Sequence, residues 1–369
     1  MILQNEDINQ HVEIVIKFQT IPDQNSICLI IKEKWHSLYT SLINFNFMNF
    51  QNLSKVEIPD FYLDVAFGRA STAADKIKTK SSYKTLYRLK KSILVEQTRI
   101  NTVMQVLTEH LIGILKSFPK IDEINEFYQE LVKATIDYDL FKKSLGGVNW
   151  AVMQIKNLCR IYNFKIRKCR DLQVIGKFRN QLYGRVSSVV KQIKKELAFL
   201  EDARRTMKEF PSIKTSIPTI VIAGFPNVGK TTLLKALTGS EPKIASYPFT
   251  TQQLMIGYTK DKKFQIIDTP GLLDRPLKKR NKIELQAILA LKHLAQKIIF
   301  VIDPTEICGY SLDEQIKLLL EIRTNFKTEI KLLVNKLDLL SADKIKDLKQ
   351  RFKDAVFVSA YKESEINLL

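Results

Sequence analysis

The chain has 369 residues, 45% of them hydrophobic, and a formal net charge of +19 at pH 7. That length admits two domains with separate cores, and that apolar content excludes a disordered chain. No apolar run reaches the roughly 18 residues of a membrane span, no cleavable signal pattern opens the chain, and Cys28, Cys159, Cys169 and Cys308 fit no disulfide or metal spacing. These features read as a cytoplasmic protein with reduced thiols.

The charge is unevenly placed. Residues 1–47 hold three basic and five acidic side chains, residues 48–215 a net +14 and residues 216–369 a net +7. An excess concentrated in the middle of the chain favours a polyanionic partner, nucleic acid before membrane.

Residues 1–47 alternate short apolar runs with polar residues and share neither the periodicity nor the basic bias of residues 48–215. They read as an atypical extension, with Met48 as the expected native start. Residues 53–81 carry turn signals and small residues. From about residue 83, Leu86, Leu89, Ile93, Ile100, Val103, Leu107, Leu111 and Ile114 recur at helical steps until Phe118-Pro119. Asp122 reads as the N-cap of the next helix. Gly146-Gly147 predicts a break, after which Val152, Ile155, Cys159, Tyr162 and Ile166 mark another helix, and a last one is predicted over 181–210, ended by Pro211. Four long amphipathic patterns with short breaks predict an antiparallel helical bundle over 48–215. Lys156, Arg160, Lys165, Arg167, Lys168 and Arg170, with Lys191, Lys194 and Lys195, form either a solvated helix face or a surface for RNA.

Residues 216–369 alternate strand and helix patterns, with strands predicted near 219–223, 254–260, 264–268, 298–303, 330–335 and 355–358. The expected fold is α + α/β: the bundle, then a P-loop domain with a mostly parallel sheet. The β-branched run Ile220-Val-Ile222 ends at Gly224-Phe-Pro-Asn-Val-Gly-Lys-Thr231, and a helical pattern follows. In that order, loop N–H groups cradle nucleotide phosphates, Lys230 adds charge near the β and γ phosphates, and the Thr231 hydroxyl suits Mg²⁺. Gly224, Asn227, Val228, Gly229 and Thr232 complete the predicted cradle. In the loop Tyr247-Pro-Phe-Thr-Thr251, Thr251 is preferred to Thr250 as a second Mg²⁺ ligand. Asp268-Thr-Pro-Gly271 places a carboxylate in the Mg²⁺ shell and the Gly271 N–H toward the γ-phosphate.

The base is read at Asn335-Lys-Leu-Asp338. A carboxylate accepts two hydrogen bonds at once, so Asp338 matches guanine N1–H and its exocyclic amine, whereas adenine leaves it unpaired. The expected ligand is GTP or GDP, and Ser359-Ala360 resembles the loop by which GTPases brace guanine O6.

Gly224-Phe-Pro-Asn-Val-Gly-Lys230 with Tyr247-Pro-Phe-Thr-Thr251 and Asp268-Thr-Pro-Gly-Leu272 resembles the Obg-like GTPases. Asp268-Thr-Pro-Gly-Leu-Leu-Asp-Arg-Pro276, Arg280-Asn281, Ile302-Asp-Pro-Thr-Glu-Ile-Cys-Gly-Tyr-Ser-Leu-Asp-Glu-Gln315 and Phe118-Pro-Lys-Ile-Asp122 resemble, more narrowly, the Nog branch of nucleolar GTP-binding proteins and their archaeal relatives. The resemblance covers about residues 48–369 and lacks the long basic C-terminal extension of eukaryotic members. It implies a factor in large ribosomal subunit maturation, acting as a monomer on the precursor particle, with the helical domain against rRNA. Leu272 stands where Ras-like proteins place a water-orienting glutamine, so hydrolysis is expected to be slow. Asn227 resembles the asparagine that holds K⁺ in some related GTPases, and the alternative is that it only braces its loop. Three other classes compete: a metabolic phosphotransferase, which Asp338 argues against, a membrane-surface or cytoskeletal GTPase, and a GTPase assisting RNA modification.

Overall fold

The computed structural model describes residues 50–79, 87–239, 241–247, 253–270, 273–274, 285, 288–289 and 291–359. The expectations for residues 1–47, Thr250, Thr251, Gly271, Leu272, residues 275–282 and Ala360 lie outside the described residues.

The N-terminal part is helical: α1 (Pro59–Thr79), α2 (Arg88–Ser117), α3 (Glu126–Thr135), α4 (Tyr138–Arg167), α5 (Leu172–Gln192) and α6 (Lys194–Lys208). Helix α1 packs along α2, α2 along α4, and α4 against both α5 and α6. Their shared core holds Val103, Leu107, Leu111, Val152, Ile155, Leu182 and Leu197, all buried.

Four local expectations are corrected. Helix α1 replaces the predicted turns, because Ala66, Ala70 and Ala74 are fully buried at four-residue spacing and form the seam by which α1 approaches its neighbours. Asp122 does not cap α3. Asn125 does, its side chain accepting from Phe127 N–H, while Asp122 accepts from the Tyr138 hydroxyl and pairs with Lys142 at 3.2 Å. The Gly146-Gly147 pair does not break α4. A Cβ on Gly147 would sit 3.1 Å from Glu196 Cγ, so the absent side chain makes room for α6. The predicted helix over 181–210 begins earlier, where Asp171 accepts from Gln173 N–H, and is divided at Ile193 into α5 and α6.

The connection to the second part is pinned rather than loose. The Tyr128 hydroxyl donates to Pro211 O at 2.8 Å and accepts from Ile213 N–H at 3.0 Å, with the Phe50 ring edge-on to both Tyr128 and Phe210.

The sheet runs β2 (Lys243–Ala245), β3 (Leu254–Tyr258), β4 (Gln265–Asp268), β1 (Thr219–Ala223), β5 (Ala295–Ile302), β6 (Glu329–Val334), β7 (Val356–Phe357) in spatial order. β1 is parallel to β4 and β5, as are β5 to β6 and β6 to β7, whereas β2–β3–β4 is an antiparallel edge. Every residue of the central β1 is buried, as its unbroken apolar run requires between helical layers. Among the described residues the helices here include α7 (Lys230–Thr238), α8 (Leu312–Asn325) and α9 (Ala342–Arg351). Among the described residues no helix is long and apolar enough to cross a membrane.

Segment 53–58 is fastened to α6 by Glu201, whose carboxylate accepts from Arg204 at 2.7 Å, from Val56 N–H at 3.1 Å and from Arg205 at 3.0 Å. The Arg204 guanidinium, with help from Val56 N–H and Arg205, lowers its pKa to about 2 from an ordinary 4.5. A carboxyl whose folded pKa is depressed stabilises the fold above its unfolded pKa and loses that contribution as pH falls toward the folded one. Glu201→Gln should therefore cost about 3 kcal/mol at neutral pH, with the difference from the unaltered chain shrinking as pH drops from about 4.5 to about 2. Denaturant unfolding across that pH range measures it.

Candidate nucleotide site

The predicted site residues that are described lie at the carboxyl ends of β1, β4 and β6 and just past β7, the edge where open α/β sheets bind ligands. Gly224, at φ +134, follows β1, and a Cβ there would strike the Val301 carbonyl. Asn227 (φ 62) and Gly229 (φ +102) are also left-handed, which turns the loop so that Gly229 becomes the N-cap of α7. A Cβ on Gly229 would collide with the Asn335 side-chain amide. That amide donates to Val228 O at 2.8 Å, so the fully buried Val228 and the end of β6 are joined.

Lys230 is buried and its ammonium donates to the Gly224 and Phe225 carbonyls, each at 2.9 Å. Burial lowers its pKa, opposed by the charges of Asp268 and Asp274. Thr231 donates to Asp268 Oδ2 at 2.7 Å. The other carboxylate oxygen, Oδ1, is buried without a hydrogen-bond partner among the described residues, and burial raises the pKa of this group. A hydroxyl and a half-satisfied buried carboxylate fit a small hard cation, which takes oxygen ligands and offsets the burial of charge. Thr232 is exposed one residue on, and Asn227 is exposed with no side-chain hydrogen bond among the described residues.

At the other end, Lys336 (φ 61) opens the turn Leu337–Leu339, and the exposed Asp338 accepts from the buried Ser359 hydroxyl at 2.6 Å. The predicted base-reading residues Asn335, Lys336, Asp338 and Ser359 thus lie together.

Two participants were not predicted as site residues. Asp303, at the end of β5, is fully buried and accepts from Lys336 Nζ at 2.7 Å, from Thr305 and from Cys308 N–H at 3.2 Å. Burial pushes its pKa up, but Lys336 and Thr305 outweigh this and hold it below the ordinary value. Gln315 of α8 is also fully buried and bonds both the N–H and the carbonyl of Asp303. The signal was available: a carboxylate ending an apolar central strand has to find a cation or several donors.

Residues 50–214 match the NOG1 N-terminal helical domain and residues 219–336 match the 50S ribosome-binding GTPase family. An uncharacterized protein of Methanocaldococcus jannaschii is 43% identical over 297 residues, which is 80% of this chain and 83% of that protein. Nucleolar GTP-binding protein 1 of Drosophila melanogaster is 31% identical over 80% of this chain and 45% of its own length. The protein of the same name from Encephalitozoon cuniculi is 34% identical over 64% of this chain and 45% of its own length.

The chain belongs to the Nog family. It is a P-loop GTPase that binds guanine nucleotide, with the family's helical domain ahead of the GTPase domain. It spans less than half the length of the Drosophila and Encephalitozoon proteins it matches.

The Lys336–Asp303 pair generates a test within this Nog GTPase. Asp303→Ala leaves Lys336 without its counter-charge and three donors without an acceptor, so it should cost roughly 3–5 kcal/mol of stability. Lys336→Gln removes only the cation and should cost less in denaturant unfolding while weakening GDP binding, measured by titration with a fluorescent GDP analogue.

Proposed function

We propose that the chain is a guanine-nucleotide switch in assembly of the large ribosomal subunit, with residues 48–215 binding rRNA and residues 216–369 responding to nucleotide. The observation that carries this is the joining of a guanine-reading carboxylate, Asp338 braced by Ser359, to a domain that concentrates a net +14. The relatives' nucleolar name supports the setting. A membrane-surface role or service to an RNA-modifying enzyme is the alternative, and neither is favoured by a specific observation.

The reading assigns roles residue by residue. The N–H groups of Gly224, Asn227, Val228 and Gly229, with Lys230 and Thr232, hold the phosphates. Thr231, Asp268 and Thr251 hold Mg²⁺, which neutralises charge on the β and γ phosphates. Gly271 N–H senses the γ-phosphate, Asn335, Lys336 and Asp338 hold guanine, and Ser359 with Ala360 braces its O6. Asn227 holds K⁺, the charge that an arginine finger supplies elsewhere.

Signalling to the bundle is supported by two contacts on one turn of α3. Tyr247, buried at the start of the loop that carries Thr251, lies with its ring 6.5 Å from that of Phe127. His293 Nδ1 lies 2.7 Å from Glu126 Oε2. A change in the GTPase domain reaches the helical domain through these neighbours.

Gradient sedimentation decides the reading: the chain should co-migrate with large-subunit precursors with a non-hydrolysable GTP analogue and less with GDP, and equal migration would remove the switch. Asp338→Asn replaces a double acceptor by one acceptor and one donor, the pattern matching xanthine. GDP affinity should fall by at least about 100-fold and xanthosine diphosphate binding appear, by nucleotide titration. Unassisted turnover should be at or below about 10⁻⁴ per second. It should rise in K⁺ relative to Na⁺, with Asn227→Ala erasing that difference in a phosphate-release assay.

A further inference from the structure

Flanked by Asp139 and Glu196, residues 140–195 run from the first turn of α4 through α5 into the first two residues of α6 and contain fourteen Lys and Arg side chains and a single carboxylate, Asp171. That carboxylate caps α5, accepting Gln173 N–H at 2.8 Å. Carboxylates from other elements reach three of the fourteen cations: Asp122 meets Lys142, Glu96 meets Arg179 and Asp60 meets Lys191. Among the described residues the other eleven make no ion pair.

The outer side of α4 also exposes large apolar groups. Trp150 is 42% exposed, Met153 59%, Ile161 41% and Phe164 58%. At about 100° per residue these four fall in one strip roughly 80° wide, with Asn157 in its middle. Lys156 and Arg160 border the strip, and Lys168 lies over the Phe164 ring at 4.4 Å.

A protein partner seated on the apolar side chains would have to bring its own carboxylates for the bordering cations and would make no particular use of flat exposed rings. Unpaired nucleic acid offers both halves of the match: phosphates for the cations and flat base faces for exposed aromatic rings. Duplex RNA hides its base faces, so the aromatic half would go unused. Trp150 and Phe164 are fourteen residues apart, about 21 Å along the helix, a span that several nucleotides cover.

We propose that this strip of α4 is a docking surface for an unpaired RNA segment, with bases stacked on Trp150 and Phe164 and phosphates on Lys156, Arg160 and Lys168. The proposal rests on the rRNA-binding function proposed for residues 48–215 and narrows it to one face and one state of the RNA. The full chain contains two tryptophans, Trp35 and Trp150, so Trp35→Phe leaves Trp150 as the sole indole reporter.

The experiment titrates that variant with a short mixed-sequence single-stranded RNA, its blunt duplex, and phosphatidylserine vesicles. The single strand should quench Trp150 fluorescence and bind about tenfold more tightly than the duplex. Trp150→Ala combined with Phe164→Ala should weaken single-strand binding by about tenfold or more with its salt dependence unchanged, whereas Lys156→Gln with Arg160→Gln should flatten that dependence. All four positions are solvent-exposed, and circular dichroism confirms that each variant is folded. Equal binding of single strand and duplex, or unchanged affinity in the aromatic variant, overturns the proposal, and so does quenching by vesicles or by self-association in place of RNA. If the aromatic variant binds single strand and large-subunit precursors as well as the unaltered chain, the strip fails while the assembly reading stands. If the unaltered chain binds no RNA, both fail.

Discussion

The nucleotide end of the molecule is organised by the bond from the Asn335 side-chain amide to the Val228 carbonyl. It crosses 107 residues of chain and ties the last turn of the phosphate loop to the strand that leads into the turn at Asp338. A loop can present successive N–H groups to a phosphate only if its backbone is held in conformations that side chains ordinarily forbid. Gly229 has to lack a Cβ because Asn335 occupies that space, so one crossing contact explains both the glycine and the asparagine.

Around it the buried charges are each answered. Lys230 is met by two carbonyls, Lys336 by Asp303, and Asp303 by Thr305, Cys308 N–H and Lys336. Asp268 is answered on one oxygen by Thr231 and, among the described residues, not on the other. Beside the Thr231 hydroxyl, that half-answered carboxylate fits a small hard cation.

Much of this was legible because phosphate and guanine chemistry demands particular residue types within a few positions of each other. The loop around Lys230 and the turn around Asp338 are contiguous, so the sequence displays them whole. Glu201 stayed hidden as the anchor of segment 53–58 because Val56 lies 145 residues away, and Asp303 showed in the sequence as a carboxylate needing partners without showing that one of them, Lys336, lies 33 residues on. The alanines of α1 and the glycines of α4 were misread for a related reason. Small residues mark turns when exposed and tight helix contacts when buried, and only the neighbours Ala66 and Gly147 acquire in the fold distinguish the two. Helix ends turned on single side chains, Asn125 rather than Asp122, which local sequence leaves ambiguous.

The Tyr128 hydroxyl, wedged between Pro211 O and Ile213 N–H, bears on how the two halves communicate. A connector clamped at its midpoint has no slack in which a displacement can be absorbed. The same short stretch of α3 also carries Glu126 and Phe127, so the clamp on the connector and the contacts to His293 and Tyr247 sit on one rigid turn. Under the switch proposed above, a rearrangement at the phosphates would reach α3 without being taken up by a slack tether.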